Sequence, residues 1–198
     1  MAGRQPRLRC MRGEGFMARL FVALGDIPVD QELARAIAEL LAGVPGARAT
    51  APESRHVTLA FIGDAARSQM PRIEAACAEA AAETRAQSYV LDQLGGFPRA
   101  EARIVALTGV TPPGLGRLAQ GLGDRLRAGG FPVERRPLRM HVTVGRLRES
   151  YRIPRQDIAP LHVMAEEIRL YESELLPAGA RYHLVSAFAL PSREEPSA

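Results

Sequence analysis

Two hydrophobic periods alternate along this chain. Residues 19–24 (RLFVAL) make a short apolar run closed by Gly25, Asp26 and Pro28, which predicts a first strand. Asp30 is then a candidate helix N-cap. Leu33, Ile37, Leu40 and Leu41 follow at helical spacing, until Gly43 and Pro45 stop the pattern. Residues 56–62 (HVTLAFI) predict the next strand. A helix capped by Ser68 comes after it, with Pro71 in the first turn and Ile73, Ala76, Cys77 and Ala80 on its inner face. Residues 89–94 and 103–107 predict two strands around a Gly95-Gly96-Phe97-Pro98 turn. Leu115, Leu118, Leu122 and Leu126 mark a third helix ended by Gly129-Gly130, and residues 140–145 (MHVTVG) another strand. The last two strands are expected at 163–171 and 182–190, separated by Pro177-Ala178-Gly179. Strands and helices mix without strict alternation, so the expected class is α+β with mainly antiparallel sheets.

The chain has 198 residues, 46% of them hydrophobic, enough for one substantial core. Residues 17–198 are expected to form a single domain, with no long linker. Residues 1–16 lack periodicity and an apolar signal segment; they are expected to be a disordered basic extension or an over-long start before Met17. No stretch approaches the ~20 apolar residues of a membrane-spanning helix, so a soluble, cytoplasmic monomer is expected. All 26 basic residues are arginine. Residues 1–16 hold four arginines against one glutamate, and the remainder 22 arginines against 21 acidic residues, so any contact with nucleic acid should be local to a site. Cys10 and Cys77 do not make a disulfide framework and are expected to be free thiols.

One short pattern occurs twice. His56-Val57-Thr58-Leu59 and His141-Val142-Thr143-Val144 both read His, apolar, Thr, apolar, and stand about half the chain apart. This predicts an internal duplication in which two similar lobes face each other. In a strand, residues i and i+2 share a face, so His56 and Thr58 would point one way and Val57, Leu59 and Phe61 into the core. His141 and Thr143 repeat this, with Val142 and Val144 inward. Two such lobes would aim two imidazoles and two hydroxyls into one groove. That set suits phosphodiester chemistry: one imidazole accepts a proton from water, its protonated partner donates to a leaving oxygen, and the hydroxyls hold phosphoryl oxygens. No metal or cofactor is required. His162, in an expected loop, and His183, in a strand, are read as structural. No His-x-x-x-His, Cys-x-x-Cys or Asp-rich set supports a metal site.

At these residues the sequence resembles the two-histidine (2H) phosphoesterases. Within them it is similar to the RNA 2′,3′-cyclic phosphodiesterases, historically called 2′-5′ RNA ligases. The likeness runs from Met17 to Leu190. It rests on residues 19–24, 56–63 (HVTLAFIG), 130–132 with 136–139, 141–146 (HVTVGR), 170–175 and 177–182. It implies two pseudo-symmetric lobes, each a mainly antiparallel sheet with helices outside, enclosing a central groove. It implies opening of a 2′,3′-cyclic phosphate, at an RNA end or in a small cyclic nucleotide, to a 2′-phosphate. By this likeness His56 is the proton donor, His141 the proton acceptor, and Thr58, Thr143 and Arg146 bind phosphate. The alternatives are RNA end-joining through a 2′-5′ linkage by the reverse chemistry, or binding of RNA ends or nucleotides without catalysis. Arg146 has the wrong strand parity for the groove and needs a bulge or a strand end to reach it. Met140 and Gly145 depart from the proline and alanine usual in the family. With aromatics at 5% and no tryptophan, an aromatic base-stacking platform is not expected, and Phe21 and Phe61 are read as core. Arg135, Arg136 and Arg139, just before the second motif, are candidates for RNA backbone contact.

Overall fold

The computed structural model describes residues 17–25, 27–176 and 179–192. The extension at 1–16, Cys10 and most of the Pro177-Ala178-Gly179 turn therefore lie outside the described residues.

In chain order the elements are strand β1 (Met17–Leu24), helix α1 (Gln31–Ala42), the two-residue strand β2 (Arg48–Ala49), β3 (Val57–Ala66), α2 (Met70–Ala82), β4 (Gln87–Phe97), β5 (Glu101–Thr108), α3 (Pro113–Ala128), β6 (His141–Arg152), β7 (Gln156–Ala165), β8 (Glu167–Leu176) and β9 (Gly179–Ala189). They form two antiparallel sheets, one ordered β3-β1-β8-β9 and the other β2-β6-β5-β4-β7. The expected α+β architecture of two lobes is what the chain adopts.

Helix α1 starts as its sequence predicts: the Asp30 carboxylate accepts from the Leu33 N–H at 2.8 Å, a cap that contributes about 1 kcal/mol. Leu33 and Ile37 are its buried face. Helix α2 does not start at Ser68. That residue lies in a 3₁₀ turn, Arg67–Gln69, and the Gln69 side chain accepts from the Ala66 N–H at 2.8 Å. Pro71, with no N–H to lose, occupies the first turn from Met70. Helix α2 packs on α3 and on β8 and β9, and α3 also reaches β3. One continuous apolar core joins all these elements, including Leu20, Val22, Val57, Ile73, Leu91, Val105, Leu122, Val142 and Leu170.

Three expectations give way. Gly95-Gly96-Phe97 is no turn but the end of β4. The glycines are needed because the 153–155 segment crosses directly over the strand: a Cβ at Gly95 would lie 2.7 Å from the Arg155 Cα. The stretch 163–171 is not one strand. It divides at Glu166 between β7, in the second sheet, and β8, in the first. The buried positions record the break, since Val163 and Ala165 are followed by Ile168 and Leu170, out of step by one. His162 consequently sits in a strand, exposed on β7, not in a loop. No described helix is long and apolar enough to cross a membrane.

Candidate active site

The two His-x-Thr segments begin β3 and β6, strands that belong to different sheets and approach each other. Val57, Val142 and Val144 are fully buried in the core, while His56, Thr58, His141 and Thr143 lie on the partly exposed opposite face. The two lobes hold their imidazoles in the same way. His56 Nδ1–H donates to the Ser54 carbonyl at 2.8 Å, and His141 Nδ1–H donates to the Arg139 carbonyl at 2.8 Å. A carbonyl only accepts, so each neutral ring carries its proton on Nδ1 and leaves Nε2 with a free lone pair.

Strand register then decides what else shares that face. In the first sheet Phe21 pairs with Phe61 and Ala23 with Thr58, so a bulge near Leu59 turns Thr58 and Phe61 to one side. In the second sheet Ile104 pairs with Arg146, Ala106 with Thr143 and Thr108 with His141. The extra residue falls at Val144-Gly145, both buried. It cancels the parity problem and brings Arg146 to the side of His141 and Thr143. Glycine suits this bulge, since a Cβ at position 145 would collide with the Leu41 Cδ2 of α1.

The reading of Phe61 as core is therefore wrong: it is 58% exposed, because the bulge carries it out of the interior. Phe21 is buried, as expected, but on the groove side, beneath His56. Its ring lies 4.8 Å from His56, 5.3 Å from Tyr171, 5.0 Å from Tyr182 and 6.1 Å from Phe61. Across the groove Phe97 stacks on His141, with centroids 4.0 Å apart. Five of the chain's ten aromatics thus surround the two imidazoles, a concentration that overall composition hides. Phe61, Phe97, Tyr171 and Tyr182 are the site residues that the sequence reading missed. Their positions depend on bulges and on which strands become neighbours.

These surroundings set the charge of the rings. Burial pushes His56 down to about 4, and positive charge on His141 and Arg146 opposes its protonation further, against the bond to the Ser54 carbonyl. His141 is also lowered, mainly by burial and further by Arg136 and Arg146. Arg146 thus acts on both imidazoles. Of the three arginines before the second motif, Arg136 pairs with Glu134 at 2.8 Å, and Arg135 and Arg139 are exposed. His183 pairs with Glu174 at 3.1 Å, away from these groups on the β8–β9 pair. No group of three or more His, Cys, Asp or Glu side chains suited to a metal ion occurs among the described residues.

Two antiparallel sheets, each bringing a histidine and a threonine to the approach of β3 and β6, form an arrangement suited to phosphoester chemistry. Three comparisons make this specific. The model of the LigT-like phosphoesterase family matches residues 27–106. An RNA 2′,3′-cyclic phosphodiesterase of Archaeoglobus fulgidus is 29% identical over 86% of this chain and 99% of its own. The fold matches a crystal structure of a Thermus thermophilus protein at a TM-score of 0.73 and 25% identity, covering 89% of this chain and 100% of that one. It also matches Escherichia coli LigT complexed with 3′-AMP at 0.68 and 25%, covering 88% and 99%. The chain thus resembles the LigT-like phosphoesterases over residues 27–106 and, over most of its length, an RNA 2′,3′-cyclic phosphodiesterase and the solved LigT fold.

Proposed function

We propose that this enzyme opens 2′,3′-cyclic phosphates at RNA 3′ ends to 2′-phosphomonoesters, using His56 and His141 as acid and base and no metal. One observation carries the reading: two imidazoles from different sheets, close enough for the charge of one to act on the other, are each fixed through Nδ1 to the carbonyl two residues earlier, with Thr58 on the strand face of one and Thr143 and Arg146 on that of the other. The name of the Archaeoglobus relative and the 3′-AMP in the LigT crystal are consistent with such a substrate.

In this mechanism His141 Nε2 takes a proton from water as the water oxygen attacks phosphorus. The bond from phosphorus to O3′ breaks, and His56 delivers a proton to the departing O3′. The 2′-phosphate remains on the ribose. Thr58 and Thr143 donate to the nonbridging oxygens, and Arg146 offsets the charge that develops there. Free His56 is neutral at pH 7 and must gain its proton with the substrate. The phosphodiester anion supplies the attraction that makes this favourable. Arg135, Arg136 and Arg139 meet the RNA backbone on the approach. Neutralising all three should weaken RNA binding and flatten its salt dependence; an unchanged salt slope removes them from that role.

The test is a defined RNA ending in a 2′,3′-cyclic phosphate, incubated with the enzyme and EDTA. Complete conversion to the 2′-phosphate is expected. A 3′-phosphate product, or activity that EDTA abolishes, overturns the mechanism.

A further inference from the structure

A cavity of about 450 Å³ opens beside His141, in the range of small-molecule sites. Its walls come from the second sheet and from the segment that leads into β6. The sheet register fixes its floor. His141, Thr108, Gln93 and Asp157 are successive cross-strand partners on β6, β5, β4 and β7, so their side chains form one row on one face. Strands lie 4.7–4.9 Å apart, which places Gln93 about 10 Å from the strand of the imidazole. Thr108 and Gln93 line the cavity, and Phe97, which stacks on His141, lines it on the side of the imidazole.

Three features mark this cavity as a site for a polar ligand. The Thr108 hydroxyl is buried, with the residue only 7% exposed, and has no hydrogen-bond partner. Such a group costs about 1–3 kcal/mol unless something satisfies it. Asp92 lines the cavity with no ion pair or hydrogen bond among the described residues. It lies at an irregularity in the β4–β7 pairing, where Leu91 and Leu94 are buried and the two residues between them are partly exposed. Arg139 lines the same cavity at its His141 end and is likewise unpaired. A cation therefore stands at the catalytic end and an anion at the far end, and they do not meet. A nucleotide has the complementary polarity, with its phosphate at one end and the N–H edge of its base at the other.

The hydrogen-bonding character of the far end narrows the base. Gln93 Nε2 donates one of its two N–H groups to Asp157 at 3.2 Å, and Gln93 Oε1 is an acceptor on the same wall as Asp92. The second cation of the wall, Arg155, gives two of its five N–H groups to the carbonyls of Gly96 and Pro98. The Asp92 carboxylate and Gln93 Oε1 are thus the acceptors on this part of the wall. Guanine offers two adjacent donors there, N1–H and N2–H₂, which one carboxylate accepts together; the corresponding edges of adenine, cytosine and uracil offer one donor group each.

We propose that this cavity holds the nucleobase of the cyclic nucleotide and favours guanine, with Asp92 as the residue that selects it. The inference rests on the cyclic phosphodiesterase reading for its substrate.

The experiment compares kcat/KM for the 2′,3′-cyclic monophosphates of guanosine, adenosine, cytidine and uridine. Guanosine should exceed uridine by about tenfold, the scale of one bidentate pair. Asp92→Asn, which replaces one acceptor with a donor at nearly constant shape, should bring the guanosine value down to that of uridine. Equal values in the wild type, or a guanosine preference that survives Asp92→Asn, overturn the proposal. So does a uniform rise in KM for all four substrates in Phe61→Ala with no effect of Asp92→Asn, which would put the base against the first lobe. If no cyclic nucleotide is turned over at all, the functional reading fails separately. Calorimetric binding of guanosine and uridine 2′-monophosphates to the wild type and to Asp92→Asn then decides. A guanosine advantage lost in the variant supports the base site, and equal binding ends it.

Discussion

His56 lies against a block of aromatic rings, Phe21 with Tyr171 and Tyr182, whereas His141 has Phe97 on one face and arginine charge around it. The supports are otherwise alike: the same Nδ1 anchor to the carbonyl two residues back, the same Thr two residues on, and a bulge in the strand that follows. What differs is the residue each bulge delivers. Five positions after the histidine, the first lobe presents Phe61 and the second presents Arg146. The two lobes share the scaffold that aims the imidazole and differ at one bulged position, which presents an exposed aromatic ring in one and a guanidinium in the other. In the proposed mechanism an acid and a base need unlike surroundings, and these two positions would supply part of that asymmetry.

The comparison breaks most sharply at the histidines. His56→Ala and His141→Ala should each lower kcat by about 10²–10⁴-fold with the thermal midpoint nearly unchanged. The double variant should be little worse than the poorer single one, because an acid and a base acting in one step are not additive. If either single variant keeps wild-type kcat on a cyclic-phosphate RNA, the shared role fails. Next in size is the exchanged position. Arg146→Ala should cost about tenfold to hundredfold in kcat/KM, the scale of a charge-assisted hydrogen bond to phosphate. Arg146→Lys should recover only part of it, for want of the forked donors. A loss equal to that of Arg48→Ala, its exposed cross-strand neighbour, would reduce Arg146 to a general positive field.

Thr58→Val and Thr143→Val should have smaller effects, each about threefold to tenfold in kcat, since each removes one neutral donor and keeps the β-branched shape. Equal losses would mean that the lobes share the phosphate symmetrically. A loss confined to Thr143→Val would give the phosphate to the lobe of Arg146.

The sequence made the scaffold readable and the decoration unreadable, for a physical reason. Helix α1 could be placed because its cap and its apolar stripe are local. The duplicated His-x-Thr could be read because alternation within four residues needs no partner strand. The bulges at Leu59 and Val144-Gly145 arise from pairing with β1 and β5, and a period-2 reading carried across them reverses every later side chain. That is why Phe61 was assigned to the core and why Arg146 stood on the wrong face. The divide at Glu166 was hidden similarly: β7 and β8 are both apolar and alternating, and only the one-residue phase change between Ala165 and Ile168 separates them. The aromatic cluster was invisible in a composition because Phe21, Phe61, Tyr171 and Tyr182 come together only when β3, β1, β8 and β9 form one sheet.

The smallest expected effect separates the two imidazoles by their protons. The folded protein holds His56 at about 4 against an ordinary 6.5, so between those pH values the unfolded chain binds more protons at this residue than the folded one. Its contribution to stability is therefore full above pH ~6.5 and is lost as pH falls towards ~4. His141 acts in the same direction. Urea midpoints measured from pH 7.5 to pH 4 should fall in the wild type and fall less steeply in His56→Gln and in His141→Gln. The His56 variant should show the greater flattening, because the aromatic block and the charges of His141 and Arg146 both resist its protonation. Adding inorganic phosphate at pH 5 should reverse the difference: an anion between the rings favours the imidazolium, so binding should be accompanied by proton uptake. Calorimetry in buffers of different ionisation enthalpy measures that uptake. Its disappearance in His56→Gln would assign the incoming proton to the aromatic lobe; uptake that persists there and vanishes in His141→Gln would exchange the acid and the base.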